Sequence, residues 1–389
     1  MNQLDFIYKT KYMLTIMFMN LLKLLWFLPI HSNDILFISF SGKEYSDSPL
    51  FLSEYIINNY NMNVIWTIYD KLLISDKRIK TVKPNGIGFI ITFLTCGTII
   101  TNNTVESYLP IRKKQILLNT WHGGGPGKTI GFRDNIVEPY FKYSAKIQNK
   151  KTTAVLSSSS FCTKEVMQKS LGFDREKIIE TGLPRNDLFF KNTPCIREKV
   201  LSYFGIEKSP QIGVILYAPT FRGNSSNGNF INESEYPPLQ SIAKILGHKY
   251  NKKFYILFRA HHAMKVKNVQ GTISASKYPN MQELLYVVDV LITDYSSCMH
   301  DFSLMKKPVF LYTPDYEKYM AHRGFYMGIE NMPFPFAKTV EQLLNNVETF
   351  DLKQYEIEVN NYLSNLGNIE CGESTSKVIR WLENQWRGQ

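Results

Sequence analysis

Two α/β domains, each organised around a parallel sheet, are what this sequence predicts. Short apolar runs alternate with helical stretches from Asn33 onward, which is the pattern of βαβ units. The alternation starts afresh near residue 212, behind a stretch punctuated by Pro194, Gly205 and Pro210. A chain of 389 residues is also too long for one ordinary hydrophobic core and comfortable for two.

The first domain is expected over residues 33–192. Ile35-Leu36-Phe37-Ile38-Ser39-Phe40 is an apolar strand closed by Ser41-Gly42, and Leu50 to Asn58 follows as a helix. Further strands are Val64 to Ile68, Gly97 to Asn103, Ile116 to Leu118, Ala154 to Ser157 and Lys177 to Thr181. Ahead of them, residues 13–30 form an apolar run barely long enough to span a bilayer and interrupted by Lys23. On a helix, Lys9, Asn20 and Lys23 fall close together as a narrow polar stripe. Residues 1–32 are therefore expected to lie in a membrane interface as an amphipathic segment. Packing on the first domain is the competing reading. A signal peptide would need a small-residue cleavage site, and none follows Pro29.

The second domain is expected over residues 193–372 and repeats the architecture. Val214 to Tyr217 runs into Ala218-Pro219-Thr220-Phe221-Arg222, and Phe254 to Phe258 delivers Arg259, His261 and His262. Val287 to Thr293 ends in Asp294-Tyr295-Ser296-Ser297, and Val309 to Tyr312 is a fourth strand. Ligands of parallel sheets lie at the carboxyl ends of the strands, where this chain repeatedly places groups suited to an anion. Residues 373–389 hold an amphipathic helix with Val378, Ile379, Trp381 and Leu382 on its apolar face. Such a face must be covered, and the helix is expected to cross back to the first domain.

Asn119 to Gly131 is the stretch with most chemistry. An apolar strand ends in Trp121-His122, and Gly123, Gly124 and Gly125 follow, then Pro126, Gly127 and Lys128. Glycines let a backbone approach a ligand and aim its N–H groups at an anion, so the combination predicts a phosphate with an imidazole beside it. It is not a P-loop, because the motif needs Gly where His122 stands. A plain strand-to-helix turn would need one glycine, not this cluster. His31, His248, His300 and His322 are read as structural or exposed.

Net charge is +11 and the pI about 9.2, so anionic company is expected: nucleic acid, anionic lipid or a phosphorylated substrate. No zinc-finger spacing, aromatic RNA-binding motif or long basic run is present, which excludes the common nucleic-acid readers. Cys96, Cys162, Cys195, Cys298 and Cys371 show no pairing or metal spacing and read as thiols of a reducing compartment.

Several motifs, taken in order, resemble the CDP-glycerol glycerophosphotransferase family, the teichoic-acid primases and polymerases. They are Ser39 to Pro49, Trp121-His122-Gly123, Gly182-Leu183-Pro184-Arg185-Asn186-Asp187 and Tyr217 to Arg222. Asp289 to Ser297, Asp301 and Arg323-Gly324-Phe325-Tyr326 complete the set. Each is weak alone; the ordered set covers nearly the whole chain. The resemblance implies a GT-B fold, two Rossmann-like lobes with the active site in the cleft between them. It implies transfer of glycerol phosphate, or a related polyol phosphate such as ribitol phosphate, from a CDP-activated donor to a hydroxyl, releasing CMP. The implied acceptor is a saccharide on undecaprenyl diphosphate, and the implied location is peripheral, on the cytoplasmic face of a bacterial membrane. Two departures stand out: His262 follows His261 where the family has proline, and Gly-Gly-Gly replaces the commoner Gly-Thr-Pro.

The roles follow residue by residue. His122 is expected to be the general base. The N–H groups of Gly123 to Gly125 would hold phosphate oxygens, with Lys128 adding charge. Arg185 and Arg259 would neutralise phosphate through their forked guanidinium groups, and His261 would stabilise the diphosphate or protonate the departing CMP. Pro219, Thr220 and Arg323 fall on the donor side. Ser296 and Ser297 would bind phosphate, and Asp301 would accept from donor hydroxyls. No metal is expected, since no Asp-x-Asp motif occurs, and no cofactor beyond the CDP-polyol substrate. The rival readings are a GT-B transferase of nucleotide sugars, a P-loop-like NTPase and a non-enzymatic membrane-bound scaffold.

Overall fold

The computed structural model describes residues 3–123, 125–134, 140–220, 236–260, 269–322 and 324–388. The chain forms two compact units. One comprises Met1–Gly124, Ile130–Asp187 and Asn368–Gln389; the other comprises Gly125–Thr129 and Leu188–Gly367. These are the two α/β lobes of the GT-B class, and among the described residues the paired strands run parallel, with only isolated bridges antiparallel.

The first unit opens with helix α1 (Gln3–Lys23) and a short turn of helix over Leu24–Phe27. Its strands are β1 (His31–Ile38), β2 (Asn63–Thr67), β3 (Lys80–Val82), β4 (Cys96–Thr101), β5 (Ile116–Asn119), β6 (Ala154–Ser157) and β7 (Ile178–Glu180). Helices α2 (Asp47–Asn59), α3 (Ile87–Thr95) and α4 (Phe141–Lys151) connect them. The strand order is β3-β2-β1-β4-β5-β6-β7, so the winding reverses between β1 and β4. The two faces of each strand are read from alternate residues. Ile35 and Phe37 join one buried cluster with Leu52 and Ile56 of α2, while Leu36 and Ile38 join another with Phe89 and Phe93 of α3.

In the second unit, α5 (Pro194–Tyr203), β8 (Ile212–Tyr217), α6 (Leu239–Tyr250), β9 (Lys253–Phe258) and β10 (Ile273–Ser274) come first. Helix α7 (Met281–Val287), β11 (Val290–Thr293), α8 (Cys298–Ser303), β12 (Val309–Tyr312), α9 (Tyr316–His322) and β13 (Phe336–Ala337) follow. The unit closes with α10 (Val340–Thr349) and α11 (Leu352–Asn365). The order β10-β9-β8-β11-β12-β13 reverses between β8 and β11.

The last helix, α12 (Ser374–Arg387), belongs to the first unit. Its Val378, Ile379 and Leu382 lie in the cluster that holds Ile35 and Phe37. Its start is tied to the turn after β7. The Asp187 carboxylate accepts from the N–H of Ser374 at 2.8 Å and of Thr375 at 2.7 Å, and the Glu370 carboxylate accepts from Leu183 N at 3.0 Å. A carboxylate at a helix N-terminus is worth about 1 kcal/mol or more. Near the far end, Trp386 Nε1 donates to Thr98 Oγ1 at 2.9 Å.

Helix α1 rests lightly on its unit. Among its described side chains only Leu22 is buried; Phe6, Ile7, Met13, Leu14, Met17, Phe18 and Leu21 are exposed. Tyr12 packs tilted against Tyr143, Phe18 edge-on against Tyr108, and Thr15 Oγ1 meets Tyr140 Oη at 3.0 Å. Among the described residues no helix is long and apolar enough to cross a membrane.

Candidate active site

The carboxyl ends of β1, β4 and β5 meet around His122. Backbone strain marks the place. After β1 the chain passes through Phe40 at φ 44°, Ser41 at φ 56° and Gly42 at φ 85°, and Trp121 sits at φ 55° directly before His122. Side-chain-bearing residues rarely occupy this region, and each such position costs about 1–3 kcal/mol. The bend is fixed by Asn102, whose Oδ1 accepts from Phe40 N at 2.9 Å.

Asn102 also sets the state of the histidine. His122 Nδ1 lies 2.8 Å from the Asn102 main-chain oxygen. A carbonyl can only accept, so Nδ1 carries the hydrogen. A neutral ring then has its lone pair on Nε2. Burial holds the imidazole below its ordinary value of 6.5. The Asn102 bond and the Asp47 carboxylate oppose that shift, and the Arg185 guanidinium adds to it. The ring is packed edge-on to Phe40 at 5.7 Å and against Trp121 at 4.6 Å. Gly123 packs closely beneath the indole, where a Cβ would come within 3.1 Å of Trp121 Nε1.

Arg185, expected to face phosphate, is only 2% exposed, and its Nη1 lies 3.2 Å from both oxygens of Asp47. In this unit its charge acts on His122 through a buried ion pair. Arg185 N also donates to Ser48 Oγ at 3.4 Å. Asp47 and Ser48 lie in the motif Ser39 to Pro49, which carries no residue roles in the sequence reading, and Asn102 is not singled out from the sequence.

In the second unit the Gly125–Thr129 stretch is held as an added edge. Thr129 N donates to Gly324 O at 2.9 Å, Tyr326 N to Gly127 O at 3.0 Å, and Lys128 bridges Phe325. Lys128 Nζ sits 5.5 Å from the Tyr319 ring, which stacks on Tyr295 at 3.7 Å. The ends of β8 and β11 are tied at the reversal point of the sheet. Thr220 N donates to both Asp294 oxygens at 2.9 Å, and Thr293 Oγ1 to Ala218 O at 2.7 Å. Pro219 is buried between these ties, Ser296 is half-buried and Ser297 exposed. Asp301 is buried and accepts from Gln282 Nε2 at 3.4 Å. Arg259 Nη1 donates to the carbonyls of Ala275 at 3.1 Å and Tyr278 at 2.6 Å, bracing the loop after β10. Gly124, His261, His262 and Arg323 lie outside the described residues.

His300, read from sequence as structural or exposed, is a seat for the glycine stretch. It is 5% exposed, burial pushes its pKa down to about 3, and its Nδ1 lies 2.8 Å from Tyr362 Oη. A Cβ on Gly125 would fall 2.2 Å from His300 Cγ, so the glycine backbone lies flat on the ring. Gly125→Ala is expected to displace the loop and cut turnover about tenfold or more, since ångström-scale misplacement has that effect. His300→Ala in the same chain should restore part of the loss by making room. Measured turnover that is simply the product of the two single effects would rule out the packing explanation.

The family described as CDP-Glycerol:Poly(glycerophosphate) glycerophosphotransferase matches residues 20–384. A teichoic acid poly(glycerol phosphate) polymerase of Bacillus spizizenii is 29% identical over 385 residues, covering 92% of this chain and 94% of that protein. A teichoic acid poly(glycerol phosphate) polymerase of Staphylococcus epidermidis is 28% identical over 366 residues, covering 88% of this chain and 49% of that protein. This chain thus spans about half the length of the latter relative. The solved structure of the wall teichoic acid polymerase TagF superposes with a TM-score of 0.82 at 25% identity, covering 100% of this chain and 99% of that one.

Proposed function

The chain belongs to the CDP-glycerol:poly(glycerophosphate) glycerophosphotransferase family and is a transferase of that class; from this premise we propose that it moves glycerol phosphate, or a related polyol phosphate, from its CDP carrier to a hydroxyl of a lipid-linked acceptor, with His122 as general base. In the step, the acceptor oxygen bonds to the phosphorus that carries the polyol. The bond from that phosphorus to the oxygen bridging to CMP breaks, CMP leaves with the electron pair, and the hydroxyl proton passes to His122 Nε2.

The observation that carries this reading is the Asn102 carbonyl on His122 Nδ1. It fixes the tautomer with Nε2 free to take a proton, as a general base requires. Burial keeps the ring neutral, so it is available near pH 7. Glycine N–H groups at Gly123 and Gly125, and Lys128, supply the charge stabilisation that phosphoryl transfer depends on.

A membrane surface belongs to the same reading. The exposed apolar residues of α1 and the net charge of +11 suit an anionic bilayer. The protein would act peripherally on the cytoplasmic face of a bacterial membrane, where an undecaprenyl-diphosphate-linked saccharide would present its hydroxyl.

Donor screening tests the reaction. Purified protein offered CDP-glycerol, CDP-ribitol and nucleotide sugars, with a lipid-linked acceptor, is expected to release CMP from a CDP-polyol and no nucleotide from the sugars. Release from a nucleotide sugar with no CMP formed would replace this reading with a sugar transferase.

A further inference from the structure

Under α1, at the amino-terminal ends of β5 and β6, lies a half-open cavity of about 680 Å³. Tyr12, Ile16, Met19 and Trp26 form an apolar wall; the opposite wall comes from the segment before β5 and from the end of α4. Seven lining residues are Lys or Arg and none is Asp or Glu.

Four of those cations are already committed. Lys23 donates to Asn20 Oδ1 at 2.8 Å, and Arg112 to the carbonyls of Leu28 at 2.6 Å and Leu25 at 3.3 Å. Lys151 donates to the carbonyls of Glu106 and Ser107 at 2.8 Å each, and Lys177 to that of Asn149. Lys113, Lys146 and Lys150 have no hydrogen-bond or ion-pair partner among the described residues. Three exposed ammonium groups around one hollow that has no carboxylate in its lining make a positive local field that favours an anion. The apolar wall asks that anion to carry hydrocarbon. A second hollow, of about 620 Å³, shares Tyr12 and Ile16 with the first and is otherwise lined by Met13, Met17, Asn20, Leu21 and Leu24.

We infer that the cavity binds one anionic, phosphate-headed lipid, with Lys113, Lys146 and Lys150 around the headgroup and the hydrocarbon lying along α1. The inference rests on the membrane association proposed above and adds a headgroup site to it. The bound lipid is an anchor and not the reacting acceptor. Gln115, in the cavity wall, directly precedes β5 and His122 stands three residues beyond its far end, and the four-residue strand between them alone spans roughly 13 Å.

The test compares two triple variants in vesicle co-sedimentation. Lys113→Gln/Lys146→Gln/Lys150→Gln removes the cavity ammoniums; Lys191→Gln/Lys277→Gln/Lys353→Gln removes the same charge from exposed positions of the second unit. On phosphatidylglycerol vesicles the cavity variant is expected to bind at least tenfold more weakly than the control variant, since lysines next to an anionic surface each add to binding and distant ones do not. A second arm titrates water-soluble dihexanoyl phosphatidic acid and follows Trp26 fluorescence as the difference from Trp26→Phe. A shift in the unchanged protein that the cavity variant lacks supports the site. Equal weakening of both triples would overturn it in favour of spread-out charge. An equal Trp26 response to inorganic phosphate would overturn it in favour of a small-anion site. If the unchanged protein ignores all vesicles yet answers the soluble lipid, the membrane reading fails and the cavity stands; silence in both arms overturns both.

Discussion

His122→Ala is expected to lower CMP release by about a hundredfold or more while CDP-polyol affinity stays near that of the unchanged protein. The asymmetry follows from the role. A general base acts on the acceptor hydroxyl in the transition state, whereas the donor's phosphates are met by backbone N–H groups and cations. The pH profile gives an independent check. Burial lowers the His122 pKa below 6.5, so the ring is neutral and competent at pH 7 and above. Activity should fall as the pH drops through that depressed value, with the acid limb below 6.5 and absent from the alanine variant's residual rate. The same sign holds for stability: neutral His122 favours the folded state above pH 6.5, and that contribution is lost as the pH falls toward the folded pKa. Turnover measured with calorimetric donor binding decides the matter; near-normal turnover in His122→Ala would remove it as the base.

Much of this site is legible along the chain because its parts are local. Short apolar runs, buried on both faces of the sheet, expose β1, β4 and β5, and His122 stands three residues beyond the last of them. What sequence cannot display is the group a charge faces. Arg185 reads as an open cation on a polar turn, yet its partner Asp47 lies 138 positions earlier. Arg259 reads as a phosphate ligand, yet its Nη1 is bonded to main-chain oxygens after β10. His300 reads as inert because its contacts, Tyr362 and Gly125, come from distant segments. In each case the side chain's chemistry is plain and its direction is set by tertiary packing. The strain at Phe40, Ser41 and Trp121 is also invisible in advance, since none is a residue type that favours the left-handed region.

The buried pair behind His122 gives the largest expected effect on stability. Asp47 and Arg185 are 7% and 2% exposed at the side chain, so neither charge can fall back on solvent when the other is removed. Asp47→Asn keeps the shape, and Asn tolerates the φ of 62° found at this position. It nevertheless removes the carboxylate that lies 3.2 Å from a buried guanidinium, and about 3–5 kcal/mol of unfolding free energy should be lost. Arg185→Met leaves the converse defect with a loss of similar size. The double variant Asp47→Asn/Arg185→Met removes both charges and should recover most of the loss, because a buried pair replaced as a unit is close to neutral. Denaturant melts of the three proteins measure this coupling. The pH profile separates the electrostatic role from mere support, since the two charges act on His122 in opposite senses. Losing Asp47 should move the acid limb of activity to lower pH, and losing Arg185 should move it to higher pH. Limbs that stay in place, or move together, would show that the pair shapes the pocket without tuning the base.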